Sequence, residues 1–499
     1  MLELPSIFSP DAVLQRGRSV WVRGRANPGA AVAVRLGRFR GVARADPAGG
    51  EFLREVPAAD VEAVGGPLTL EVRSGEERLE VGPLRLGEVW LLGGQSNMSW
   101  PVLRAEDPIE TVEAGEVPGL FLFQAPVRLA DAPAFDGGGR WAPATPASVS
   151  AFSAVGLQLG RRLVGAVGGP VGLIHCSRGG THAEAWLDPA RLAADPTLRP
   201  ILDAAEQRAA GRAHRTYLAD LAVHAELARR GLLPEPSAAD ATPPYLQPPE
   251  PPPGPAHFQA PGRLHFGMLR PLAPWPVRGF VWYQGEGNTD RAEQYRTLLP
   301  ALMADWRERF RSPNAPFGVV QLPEYAPGWD ADGRAWAPIR DAQRRVAEAD
   351  GRAGCVVALG LGDRDDIHPR RKQPLGDRVA DWALAAAYGV GGGHRCPHVL
   401  AAEPRPGGGV SLRLSGPVQN PAGPDAPVEG FEARTQDGWA PVAARLTAPD
   451  RILLEPLPGG EVPSEIRHAW LSCPEVDSLL REAGGVPLST QAIEVTDPA

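Results

Sequence analysis

Apolar positions follow two rhythms along this chain, and the change between them divides it. From Ser19 to Leu86, apolar and polar residues alternate over short stretches (VWVRG, AVAVRLG, LTLEVRS, LEVGPLRLG), each bounded by Gly or Pro. A period of two with frequent turns predicts short strands and a small β-sandwich. After Gly87, unbroken apolar runs take over: VWLL (89–92), VGLI (171–174), FVWY (280–283), FGVVQL (317–322) and CVVALGL (355–361). Such runs suit strands buried on both faces. A long loop follows the first run, and the stretches between the others have helical period. These are about Phe152 to Val167, parts of Ala204 to Arg230, and a helix with Tyr295, Leu299, Leu302 and Trp306 on one face. Two more follow, around Ile339 to Ala349 and with Val379, Trp382 and Ala386 inward. Strand–helix alternation predicts an α/β fold built on a doubly wound parallel sheet. Beyond Gly391 short strands return (VSLRL, EGFEAR, RILLEP, IRHAWLS). The expected organisation is an N-terminal β domain over 1–86, an α/β domain over 87–392 and a C-terminal β domain over 393–499. A proline-dense segment, 234–261, reads as a surface loop of the middle domain.

Composition narrows the classes. A chain of 499 residues, 43% hydrophobic and 22% charged, is globular and long enough for several domains. A net charge of −8, with no basic stripe among aromatics, argues against a nucleic-acid partner. Among 51 basic residues Lys372 is the one lysine, which with the abundant Ala, Gly and Pro reads as a coding bias. Cys176, Cys355, Cys396 and Cys473 lack metal or disulfide-framework spacing and read as free thiols. No apolar leader or bilayer-length run is present, so no membrane association is expected. The chain as it stands reads as cytoplasmic; a removed leader would make it secreted or periplasmic.

Candidate chemistry gathers where the apolar runs stop, since open parallel sheets bind ligands outside the carboxyl ends of their strands. VWLL is followed by Gly93-Gly94-Gln95-Ser96-Asn97, VGLI by His175-Cys176-Ser177-Arg178-Gly179-Gly180-Thr181, and FVWY by Gln284-Gly285-Glu286-Gly287-Asn288. CVVALGL is followed by Gly362-Asp363-Arg364-Asp365-Asp366-Ile367-His368. Alone, the first turn reads as an ordinary polar loop, and Met98 breaks the G-x-S-x-G pattern of an α/β-hydrolase elbow. Together the four ends supply the parts of a serine-nucleophile site. Ser96 is the nucleophile and His368 the general base, with Asp366, Asp365 or Glu286 orienting the imidazole. Backbone N–H groups of Gly179, Gly180 and Ser96 and the Gln284 amide are oxyanion donors, and Gln95 and Asn97 are candidate substrate contacts. Ser177 is a rival nucleophile. The Asp363/Asp365/Asp366 group lacks the pattern of a calcium loop, and no metal or cofactor is expected. His175, His182 and His265 read as core or pocket-wall residues.

These motifs resemble the sialate O-acetylesterases, SGNH-type serine esterases related to acetylxylan and other carbohydrate esterases. The resemblance runs from Leu4-Pro5-Ser6-Ile7-Phe8-Ser9 and Val13-Leu14-Gln15-Arg16 through GGQSNM (Gly93 to Met98), GGT-x-AEAW (Gly179 to Trp186) and WYQGE (Trp282 to Glu286). AEQYR (Ala292 to Arg296), DIHPRRKQ (Asp366 to Gln373), Gly430-Phe431-Glu432 and Ala469-Trp470 continue it. It implies an SGNH-hydrolase-like α/β fold flanked by β-sandwich-type domains. The implied activity is cofactor-independent removal of O-acetyl groups from a carbohydrate, with sialic acid first and acetylated plant sugars second. Ser96 and His368 fall on the family's nucleophile and base, and Gln284 on its conserved-type QGE glutamine. DIHP favours Asp366 as the acid, D-x-x-H spacing favours Asp365, and the acetylxylan esterases suggest Glu286. Gly287 replaces the family's usual serine, Leu264 to Met268 stand where a Tyr-Asn pair is expected, and His182 sits where a smaller residue is usual. A non-catalytic carbohydrate-binding protein is the rival from another class.

Overall fold

A computed structural model describes residues 1–230, 254–391 and 396–497. The proline-dense reading falls outside the described residues except for 254–261. The organising strand is β1, Glu77–Gly94, of 18 residues. Its first half pairs antiparallel with Leu68–Ser74, which continues to Ala31–Leu36 and Phe39–Arg44. Val20–Arg25 and Glu51–Val56 form a separate ribbon. Its second half is the middle of a mostly parallel sheet. The other members are β2 Leu120–Gln124, β3 Trp141–Pro143, β4 Val171–Ser177, β5 Gly279–Tyr283, β6 Phe317–Gln321 and β7 Ala353–Val357. Their spatial order is β7-β6-β5-β1-β4-β2-β3, and β3 alone runs antiparallel to its neighbour. The chain fills one side of β1 with β2 and β4, then crosses to β5 on the other. The topological switch point therefore adjoins β1, where such sheets open a crevice beyond their carboxyl ends.

Five helices matter to the site: α1 Ser96–Ser99, α2 Ala154–Val167, α3 Ala292–Arg309, α4 Ala337–Ala349 and α5 Gln373–Tyr388. Successive strand residues point to opposite faces, and β6 uses this. Phe317 packs against Trp306 of α3, while a Cβ on Gly318 would lie 2.5 Å from the Trp382 ring of α5. Helices thus cover both faces. Trp382 is inward as expected, but Ala386 is exposed, one turn further round than the periodicity suggested. The expected long loop after β1 contains a strand, β2, whose LFLF run is unbroken and apolar like those read as strands.

The C-terminal strands form two four-stranded antiparallel sheets. Between them lies a separate core that includes Leu412, Phe431, Ile452 and Ile466. The larger core runs from Leu2 to Leu384 and also takes in Ala469, Leu479 and Val486, and β1 passes residue 86 without a break. Among the described residues no helix is long and apolar enough to cross a membrane.

Candidate active site

β1 ends in a turn that only glycine permits. Gly94 has φ of +138°, and a Cβ there would stand 2.1 Å from the carbonyl oxygen of Tyr283 on β5. Gln95 stays extended, its N–H donating to that same Tyr283 oxygen at 3.0 Å. Its carbonyl then accepts from Met98 and Ser99, which starts α1 at Ser96. Ser96 is half-buried while Asn97 and Met98 are buried, so the serine is the residue the turn presents. Gly179 closes over it: a Cβ on Gly179 would lie 3.2 Å from the Ser96 Cβ. Among the described residues the N–H groups of Ser96, Gly179 and Gly180 have no acceptor. Two backbones meeting this closely, with free donors and a serine between them, form a cradle for an oxyanion.

The histidine arrives on the loop after β7. Asp363 Oδ1 accepts from the N–H of Asp365 at 2.9 Å and of Asp366 at 3.2 Å, curling the loop. Asp366 Oδ1 then accepts from the His368 N–H at 2.8 Å and stands 3.8 Å from its Nδ1. Among the described residues Asp366 alone pairs with the His368 ring in this way; Asp365 is solvent-exposed and Glu286 is engaged elsewhere. The imidazole is stacked on Trp100, centroids 4.9 Å apart and planes 15° apart. Partial burial holds His368 below the usual histidine range, with Asp366 pulling it up and Lys372 pushing it further down. It is neutral, and able to accept a proton, at neutral pH. No hydrogen bond joins Ser96 to His368 among the described residues. Their sequence neighbours are joined instead: Asn97 Nδ2 donates to the Ile367 carbonyl at 3.0 Å.

The QGE segment plays a different part from the one expected. Gln284 is fully buried, and its amide N–H groups go to the Thr181 carbonyl at 3.1 Å and Asn288 Oδ1 at 2.7 Å. Its Oε1 accepts from Tyr295 at 3.0 Å. With both donors spent, Gln284 is a brace for the Gly179–Thr181 turn rather than an oxyanion donor. Asn97 is likewise spent inside the protein instead of facing substrate, and the side-chain oxygen of Gln95 is engaged there too. Gln95 Oε1 accepts from the Gly287 N–H at 3.3 Å, and Asn97 bonds Ile367, Glu286 and Lys372. Asn288, Trp100 and Lys372 were assigned no role from sequence. The presence of one lysine among so many arginines was the available signal.

With the geometry in place, comparison with known proteins is informative. Residues 268–385, which carry Glu286 and His368, match the model of the carbohydrate esterase family described as sialic acid-specific acetylesterase. The chain is similar to a sialate O-acetylesterase of Rattus norvegicus, 28% identical over 368 residues, covering 65% of this chain and 62% of that one. One from Homo sapiens is 27% identical over 420 residues, covering 77% and 71%. The crystal structure of a carbohydrate acetylesterase from Xanthomonas citri superposes with a TM-score of 0.78 at 28% identity, over 99% of each chain. The chain is similar to the sialate O-acetylesterases.

The rival serine also has a histidine. His175 Nε2 is 2.5 Å from Ser177 Oγ, its Nδ1 is 2.7 Å from Gln124 Oε1, and Ser99 Oγ is 2.7 Å from Ser177 Oγ. This chain of bonds is sealed, with Ser177 and His175 both buried, and burial pushes His175 down to about 4. The sealed network supports β4 and α1 from beneath. Cys176 is buried and its thiol is pushed up by burial, so it is inert. His182 lies 3.6 Å from Glu184, and His265 is enclosed near Asp188 and Asp305. Among the described residues no group of His, Cys, Asp and Glu is arranged to hold a metal ion.

Proposed function

We propose that this chain is a carbohydrate O-acetylesterase of the SGNH type that works through Ser96. The observation carrying this is the half-exposed Ser96 at the switch point, under the Gly179 backbone and beside the His368 loop. Ser96 Oγ attacks the acetyl carbonyl as His368 takes its proton, a small rotation of either side chain completing the hydrogen bond. The Ser96 and Gly179 N–H groups receive the oxyanion. Collapse expels the sugar alcohol, protonated by His368, and leaves an acetyl ester on Ser96. Water deprotonated by His368 then releases acetate. Asp366 is the carboxylate placed to steady the imidazole.

The relatives' names support O-acetylated sialic acid as the first substrate, with other acetylated sugars, xylan among them, second. Room for a polar sugar exists nearby. Gln259, which donates to the Gly180 carbonyl at 2.7 Å, lines a cavity of about 430 Å³ whose polar groups include His182, Glu184, Arg208 and Arg291. Ser96→Ala should lower turnover of p-nitrophenyl acetate by about 10⁴-fold or more, as loss of a serine nucleophile does elsewhere. Ser177→Ala, the control, should keep its rate if it folds. An active Ser96→Ala protein would remove the mechanism. Acetate release from O-acetylated sialic acids, acetylxylan and acetylated oligosaccharides identifies the sugar.

A further inference from the structure

Lys372, the chain's one lysine, is 1% exposed. It occupies the N-cap of α5 without making a side-chain cap. Helix N-termini favour Ser, Thr, Asp or Asn and disfavour positive charge, so neither helix chemistry nor solvation accounts for a lysine there. Its bonds do. Lys372 Nζ donates to Asn97 Oδ1 at 2.6 Å, and Asn97 Nδ2 donates to Glu286 Oε1 at 2.7 Å and to the Ile367 carbonyl at 3.0 Å. An ammonium only donates and a carboxylate only accepts. The Asn97 amide therefore has a single orientation that satisfies both. These three bonds join the helix that begins at Ser96, the loop that carries His368 and the turn that begins at Glu286. The ammonium also lies 5.7 Å from the Trp100 ring and 5.9 Å from the Tyr283 ring. Trp100 is the ring on which His368 is stacked. A compact point charge fits this aromatic-lined site, where a planar fork of five donors would leave several unpaired.

We propose that Lys372 is a positioning residue of the Ser96 site: through the Asn97 amide its ammonium clamps the serine turn to the histidine loop, with Glu286 as the counter-charge. The assignment rests on the Ser96 reading above. Four titratable groups face the ammonium: Glu286 and Tyr283 from the neighbouring strand end, and Asp366 and His368 from its own loop. Burial draws Lys372 down to about 7, against the upward pull of Glu286 and Asp366. Burial likewise raises Glu286 above the ordinary carboxylate range, opposed by Asn97 and Lys372, and its Oε2 is buried without a partner. The clamp is charged below pH of about 7 and loses its charge as pH rises through that value.

A single lysine makes the test direct. In protein labelled with carbon-13 lysine one side-chain resonance reports Lys372 alone. It should titrate near pH 7, and Glu286→Gln should move the midpoint lower by removing the anion. A midpoint near the ordinary lysine value of about 10.4, unmoved by Glu286→Gln, overturns the proposal without any variant of Lys372. Kinetically, Lys372→Met should lower kcat by roughly ten- to a hundredfold, the scale of a misplaced reacting group, with KM little changed. Lys372→Arg, charged throughout, should recover part of the rate and lose the alkaline limb near pH 7. A folded Lys372→Met enzyme with the original kcat and pH profile also overturns the proposal. If Ser96→Ala is inactive and Lys372→Met is normal, the clamp alone fails; if Ser96→Ala is active, the serine reading fails and the lysine titration stands as its own result.

Discussion

At the scale of single residues, two aspartates one position apart have different surroundings. Asp366 lies 3.8 Å from His368 Nδ1 and caps the His368 N–H, whereas Asp365 is exposed and uses only its own N–H, on Asp363. At 55% side-chain exposure and beyond hydrogen-bond length, Asp366 is screened by solvent. Its contribution to catalysis should therefore fall well short of the ~10⁴-fold of a buried, bonded triad aspartate. Asp366→Asn, whose Oδ1 can still cap His368, should reduce kcat/KM by about tenfold, and Asp365→Asn should leave it unchanged. Steady-state kinetics on p-nitrophenyl acetate separates the two. Spacing in the sequence offered both aspartates, because D-I-H and D-x-x-H are equally reachable on paper. The Asx turn set by Asp363 is what points one of them toward the ring.

At the scale of elements, the site depends on how β1 stops. Gly94→Ala would need an alanine at φ of +138° with its Cβ 2.1 Å from the Tyr283 carbonyl. That combination of strain and clash should cost about 3 kcal/mol or more, visible as a lowered thermal midpoint together with lost activity. Glycine at this position was plain in the sequence, as were the strands ending at Ser96, Ser177 and Gln284. Their long apolar runs and glycine stops speak for themselves. β2 went unread although its Leu120–Phe123 run is as long and as apolar as those at 89–92 and 280–283. The duties of Gln284 and Asn97 were hidden for a physical reason. An amide near a nucleophile looks the same in sequence whether its N–H groups face substrate or carbonyls inside the protein.

At the scale of the molecule, the C-terminal sheets are bound to the catalytic region by a buried arginine. Arg340, on α4, donates to the carbonyls of Leu322, Pro323, Leu471 and Ser472, joining the end of β6 to the loop after the C-terminal strand Glu465–His468, and burial draws its guanidinium down to about 10. Arg334 adds a paired contact to Glu432 at 2.9 Å. Arg340→Met would strand three buried carbonyls and the part-buried one of Leu471, and buried unsatisfied groups of that kind cost about 1–3 kcal/mol each before relaxation. The variant should lose at least about 3 kcal/mol in urea unfolding, and the C-terminal sheets should become accessible to protease first. A mostly parallel α/β sheet accompanied by antiparallel sheets was legible from the changes of rhythm along the chain. This long-range strap was not, because nothing local distinguishes Arg340 from the arginines beside it.

The length of β1 also matters while the chain is being made. Its first half finds partners in Val13–Gln15 and Leu68–Ser74, already synthesised, but its second half waits for β4 and then β5. At ribosomal speed the stretch from Gly94 to Tyr283 takes roughly 10 to 40 s. Until then the edge of Val89–Leu92 that β5 will cover has no partner strand, although β4 can already pair with the other edge. The proposed nucleophile is therefore built on a strand that is completed late in synthesis.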